Sequence, residues 1–250
     1  MIIATGLQFP KGPAFGTDGR LYCCNVNGGN VVRIEGDGMG HRVAECPRPN
    51  GLAIHPQNGA LWIADSGARA ILRVPLTVEG FGAPVAVTRV ELLGPNDLVF
   101  APDGTLYFTD PLGSTLDNPI GCVYRRAKNG QVEELAGGLA FPNGLALVGE
   151  SLIVAETLRN RLIRIDLASN AVTEFCAVGQ GPDGIALGSD GRLYVALYRE
   201  ACVAVVTPNG RVERKLPVQD EHPTNCCVSD SSLFVTLAAT GRIEKIALEG

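Results

Sequence analysis

Apolar positions along the chain come in short runs broken by tight polar turns, and nowhere do they settle into a helical period of useful length. Runs such as LAI, LVF, LAL and IAL lead into turns, among them TDG at 17–19, QNG at 57–59, PDG at 102–104 and SDG at 189–191. Asp-Gly and Asn-Gly supply the positive φ that two-residue hairpins demand. A second apolar run follows each time (LYCC, LWIA, LYFT, LIVA, LYVA, LFVT). Third segments then alternate, as in NVVRIE, AILRVPL, RLIRIDL and GRIEKIAL, with outer segments such as VTEFCAV beyond them. The pattern predicts antiparallel units of four strands and an all-β chain.

The unit repeats. The phrases PKGPAF, PNGLAI, PNDLVF, PNGLAL, PDGIAL and PTNCCV begin at Pro10, Pro49, Pro95, Pro142, Pro182 and Pro223, at spacings of 39, 46, 47, 40 and 41 residues. A period of about 40–45 residues is that of one four-stranded propeller blade. Six copies predict a six-bladed β-propeller, with residues 1–250 as one domain. The last copy, from Pro223 onward, has only 28 residues, room for three strands. The missing strand is expected from IIATGL, so that residues 2–7 pair into the blade of residues 223–250 and leave no open edge.

Aligned on their prolines, the six phrases put Lys11, Asn50, Asn96, Asn143, Asp183 and Thr224 at the same place in each blade. That place begins the innermost strand, so the six side chains converge on one end of the central channel. Polar groups facing one another beside a packed core need hydrogen-bond partners, a metal, water or a ligand. Hairpin geometry adds a second ring, because the end of a blade's second strand lies beside the start of its first. Those ends are Asn25, Asp65, Asp110, Glu156, Leu197 and Leu237. A polar wall from blades one to four and an apolar wall from blades five and six would suit a small organic substrate. Asp65 and Asp110 can equally be turn caps; Glu156, outside any turn signal, is the stronger candidate for chemistry.

Composition narrows the partners. With a net charge of −5, 21 lysines and arginines and no basic cluster, nucleic acid and anionic membranes are poor partners, and a small molecule is expected. No 18-residue apolar run is present, and the opening MIIATGLQFPKGP has neither a basic n-region nor an adequate h-region. Eight cysteines without a CxxC pair read as reduced thiols acting as small hydrophobes, which points to a cytoplasmic location. GxSxG, HExxH and P-loop motifs are all missing. Of the three histidines, His55 opens a surface turn, His41 lies in a polar outer segment and His222 precedes a ring proline. His222 could touch the mouth, but a solvated loop histidine is the plainer expectation.

The six phrases, VAETLRNRLIRID at 154–166, PDGIALGSDGRLYVA at 182–196 and HPTNCC at 222–227 resemble the gluconolactonase and regucalcin (senescence marker protein) propellers over nearly the whole chain. The resemblance implies a lactonase with a divalent ion, Ca or Zn, held at the channel mouth by a Glu in an EGP phrase, a fourth-blade Asn and a fifth-blade Asp. Asn143 and Asp183 match the last two, and Asn96 matches a third-blade Asn that faces substrate or a metal-bound water. The Glu does not match: the phrase here is PKGP, with Lys11 at that position. An ammonium cannot coordinate a cation and repels one. No metal is therefore favoured, although Asn143 and Asp183 would be its ligands. The Lys11 ammonium is expected near the cation's place, with Asp183 as counter-ion and Asn96 and Asn143 as acceptors.

Three functions fit these residues. In the first, a hydrolase of a lactone or ester uses Lys11 as a fixed cation against the oxyanion, while Asp183, Glu156 or Asp110 activates water and Asn50, Asp65, Asp110 and Thr224 hold substrate. In the second, Lys11 forms a Schiff base with a keto or aldehyde substrate, in a lyase or aldolase. In the third, the propeller binds a small polar ligand without turning it over.

Overall fold

The structure, a computed structural model, describes residues 1–78 and 80–248. Six four-stranded antiparallel sheets surround a central channel, each running from an inner strand at the axis to an outer strand at the rim. The inner strands are Pro10–Phe15, Pro49–Ile54, Leu98–Phe100, Pro142–Val148, Pro182–Leu187 and Pro223–Ser229. Each pairs with the strand that follows it, as the repeat predicts. In blade three the inner strand begins two residues after Asn96, but the backbone there is still paired: Asn96 N–H donates to Thr109 O at 2.9 Å and Thr109 N–H to Asp97 O at 3.0 Å. The long spacing after Pro49 is taken up by a small extra hairpin, Leu76–Thr77 with Gly80–Phe81, before a two-residue outer strand, Val85–Ala86.

The ring closes as expected, with a shorter strand. Ile2–Ala4 pairs with Arg242–Ala247 in blade six, Ile2 opposite Glu244 and Ala4 opposite Ile243. Gly6, at φ +75°, turns the chain out of the strand.

The core lies between blades rather than within them, because alternate residues of a strand face opposite neighbours. Leu193, Val195 and Leu197 of one strand pack toward blade four, while Tyr194 between them packs toward blade six. The eight cysteines are unpaired. Cys24 packs between blades one and two and Cys226 between blades five and six, and burial pushes the Cys226 thiol up to about 12.

The residue after each ring position shows how tightly the inner strands meet. Gly12, Gly51, Gly144 and Gly184 occupy it in four blades, and a Cβ on any of them would run into the next inner strand: Leu52 N at 2.6 Å from Gly12, Asp97 Cα at 2.6 Å from Gly51, Gly184 Cα at 2.5 Å from Gly144 and Asn225 Cα at 2.6 Å from Gly184. The other two blades carry Asp97 and Asn225. Both are buried in the channel, where Asn225 Nδ2 donates to Asp97 Oδ2 at 3.0 Å. Four glycines thus leave room for one cross-channel pair.

Candidate active site at the channel mouth

Lys11 is the centre of the first ring. Its side chain is only 5% exposed and crosses the channel mouth from blade one, donating from Nζ to Asp183 Oδ1 at 2.7 Å and to Asn143 Oδ1 at 3.2 Å. Asp183 is buried too. Burial raises its carboxyl above the ordinary 3.8, against the lowering effect of the Lys11 ammonium. Asn96 falls outside the expected set of acceptors: its Oδ1, like that of Asn50, is buried with no hydrogen-bond partner. Thr224 turns to the wall, donating to Pro10 O at 2.7 Å beside Thr236 Oγ1 at 2.9 Å, and so ties blade six to blade one.

The second ring serves the backbone instead of the channel. Asp65 accepts from Arg48 N–H and Ala68 N–H, and Asp110 from Leu93 N–H and Gly94 N–H. Glu156, fully buried, accepts from Ala140 N–H at 2.8 Å and is paired with Arg159 at 2.5 Å and Arg161 at 2.7 Å. Asn25 does the same for Gln8 N–H. In each of blades one to four, a polar side chain at the end of the second strand clamps the loop that enters the inner strand. Orphan N–H groups in that loop are costly when buried, which accounts for the residue types. Glu156, expected to act in the channel, thus faces backbone and arginine instead, and Asp65 and Asp110, for which a cap was the equal expectation, likewise turn to backbone N–H groups. Leu197 and Leu237 lie wholly in the core and form no apolar wall.

The wall comes from loops. A cavity of about 470 Å³ opens at the mouth, with Lys11, Asn50 and Asn96 at the ring and Phe9, Phe141, Leu112 and Arg48 among the residues around them. Phe9 and Phe141 precede ring prolines and take φ +60° and +62°, as His222 does at +62°. The residue before a proline normally stays extended, and a bulky side chain at positive φ is strained. Such strain gathers at binding sites, where surrounding structure holds it in place. His222 itself is half-buried, stacked on Tyr198 at 4.4 Å with Nδ1 3.1 Å from Tyr198 O, and is no free loop histidine.

The donor set at the mouth does not suit a divalent ion. The oxygens of Asn143 and Asp183 that would bind a cation already accept from the Lys11 ammonium, whose positive charge would face the ion. Among the described residues no three His, Cys, Asp or Glu side chains cluster as metal ligands.

A family model, the SMP-30/Gluconolactonase/LRE-like region, matches residues 9–239. Among curated proteins, the chain is 30% identical to lactonase drp35 of Staphylococcus haemolyticus, over 82% of this chain and 68% of that protein. It is 25% identical to a gluconolactonase of Zymomonas mobilis, over 98% of this chain and 80% of that protein. Among solved structures, a gluconolactonase from Xanthomonas campestris superposes with a TM-score of 0.85 at 23% identity, covering 99% of this chain and 89% of that one. A calcium-binding regucalcin from Agrobacterium tumefaciens gives 0.84 at 20% identity, covering 99% and 93%. At these identities the two structures bear on the fold alone.

Proposed function

We propose that this chain, which belongs to the SMP-30/gluconolactonase/LRE-like family, hydrolyses a small polar lactone or ester in the mouth cavity, with the Lys11 ammonium standing where the resemblance puts a metal ion. Relatives named as lactonases support the reaction class. The observation that carries the role of Lys11 is its pair of contacts with Asp183 and Asn143, which fix the one ring lysine in the lining of that cavity. An ammonium has three hydrogens, and those contacts use two. The third is left for a substrate carbonyl oxygen, which becomes negative as water adds. A fixed cation in a water-poor site stabilises that charge without reorganising.

Asp183 is the remaining carboxylate at the ring, and its burial-raised proton affinity suits it to take the proton from the attacking water. Water's oxygen bonds to the carbonyl carbon, the ring C–O bond breaks, and the proton passes to the leaving alkoxide, giving a hydroxy acid. The same contacts work against imine chemistry, since a Schiff-base lysine attacks through a free amine lone pair and Lys11 Nζ is here engaged as a donor to Asp183 and Asn143.

The test runs lactones in the presence of a chelator beside 2-keto acids with borohydride, followed by intact mass. Lactone turnover without an adduct is expected. Lys11→Arg should keep more activity than Lys11→Ala, whose rate should fall about a hundredfold to a thousandfold, with melting curves confirming that both variants fold. Substrate mass trapped on Lys11 would establish the Schiff-base reading instead. No turnover across the panel, with a ligand still raising the melting temperature, would establish a binding propeller.

A further inference from the structure

We infer that the mouth cavity selects substrates bearing an anionic group, a carboxylate or a phosphate, and that Arg48 is the residue that binds it. The inference rests on the reading above that this cavity is where substrate sits. Among the described residues no carboxylate lines the cavity, although the chain as a whole carries a net charge of −5. Two cations do. Lys11 is neutralised by Asp183. Arg48 has no such partner among the described residues, whereas Arg33, Arg42, Arg125, Arg161 and Arg192 each meet a carboxylate.

Arg48 also stands on a rigid base. Its N–H is held by both oxygens of Asp65 at 3.1 Å, and its carbonyl accepts from Ser66 N–H at 3.1 Å and Ser66 Oγ at 3.2 Å. Pro47 and Pro49 flank it, each fixing its own φ. Gly67 packs beneath, where a Cβ would come within 2.9 Å of Arg48 Cβ. The backbone that carries the guanidinium is thus fixed at the cavity, and the planar fork matches the two oxygens of a carboxylate or phosphate. The cavity has the volume for a small ring, with Phe9, Phe141 and Leu112 available to its C–H faces. The substrate class is thus a small lactone carrying a negative group outside the ring.

The test compares kcat/KM for D-glucaro-1,4-lactone, 6-phospho-D-gluconolactone and the neutral D-glucono-1,4-lactone. One of the anionic lactones should be preferred over the neutral one by about tenfold or more, and which one it is distinguishes carboxylate from phosphate. Arg48→Gln should cut that anionic-to-neutral ratio by about tenfold to a hundredfold, and Arg48→Lys should restore part of it. A preference for the neutral lactone, or a ratio unmoved by Arg48→Gln, overturns the inference and leaves the hydrolase reading standing. Calorimetry with glucarate, 6-phosphogluconate and neutral glucitol separates the two claims in the other direction. If no lactone turns over but an anion binds more tightly than glucitol, and Arg48→Gln weakens it, the anion site stands and the hydrolase reading falls. If neither anion binds more tightly than glucitol, the inference fails whatever the turnover.

Discussion

Asp97 shows how far a single side chain in the channel departs from water. It is buried directly after Asn96, and burial pushes its carboxyl up to about 6, against the lowering effects of Lys11, the Leu98 N–H and Asn225. In the unfolded chain it titrates near 3.8. Between those values the folded protein holds the extra proton, so its contribution to stability is complete below about pH 4 and is lost as pH rises through about 6, roughly 3 kcal/mol in all. Urea unfolding from pH 4 to 7.5 should show this decline in the parent. Asp97→Asn should flatten it, leaving the residual slope of Asp183, which is raised in the same direction. A variant with the parent's full slope would mean that Asp97 ionises as it does in water. At this scale the sequence was legible where a residue's neighbours are set by the repeat. The proline register placed Lys11 opposite Asp183 and Asn143 across 172 and 132 residues of chain. It left Asp65 and Asp110 open between channel and turn and put Glu156 at the channel, because a carboxylate at a strand end can face a channel or clamp a loop, and the position alone does not say which N–H groups lie beside it. Arg48, Phe9 and Phe141 were missed because the residue before each ring proline differs from blade to blade (Phe, Arg, Gly, Phe, Gly, His) and looks like loop.

The inner strand is the element on which the site is built, and its glycines set how closely the blades approach. The repeat made this partly visible: four phrases carry glycine after the ring residue and two carry Asp97 or Asn225. What the spacing could not show is that the glycines face neighbouring backbone, which no side chain can push aside. Gly144 lies outside the left-handed φ region, so what an alanine there meets is backbone of the next strand: Asp183 O, Gly184 Cα and Ile185 N. Gly144→Ala should therefore cost at least about 3 kcal/mol, at the upper end of overpacking effects. It should also disturb the Lys11 contact, since Asn143 and Asp183 belong to the two strands being forced apart. Gly36 has open space around it, and Gly36→Ala should fall within about 0.5 kcal/mol of the parent. Denaturant midpoints of the two variants provide the comparison; equal effects would show that the blades yield at the axis.

The propeller as a whole is legible from counting, since six copies of a four-strand unit and a short last copy leave one strand to be found. Its exact extent was less so: the expected strand over 2–7 forms only over Ile2–Ala4, because Gly6 takes positive φ and Leu7 N–H turns to Gly241 O at 3.0 Å. That short strand does two things. It caps the outer edge of Arg242–Ala247, and its side chains enter two cores, Ile2 with Leu233 and Val235 of blade six and Ala4 with Leu21 and Cys23 of blade one. Removing residues 1–4 should uncover an unpaired strand edge and loosen the seam between blades one and six at once. Lys11 begins blade one just inside that seam, and Thr224 of blade six bonds to Pro10 O beside it. The truncated chain should consequently melt lower, bind a hydrophobic dye, form soluble oligomers on light scattering and lose activity at temperatures where the parent retains it. A truncated chain that stays monomeric with the parent's melting temperature would show instead that the inner strands close the ring unaided, and that the terminal strand merely covers an edge.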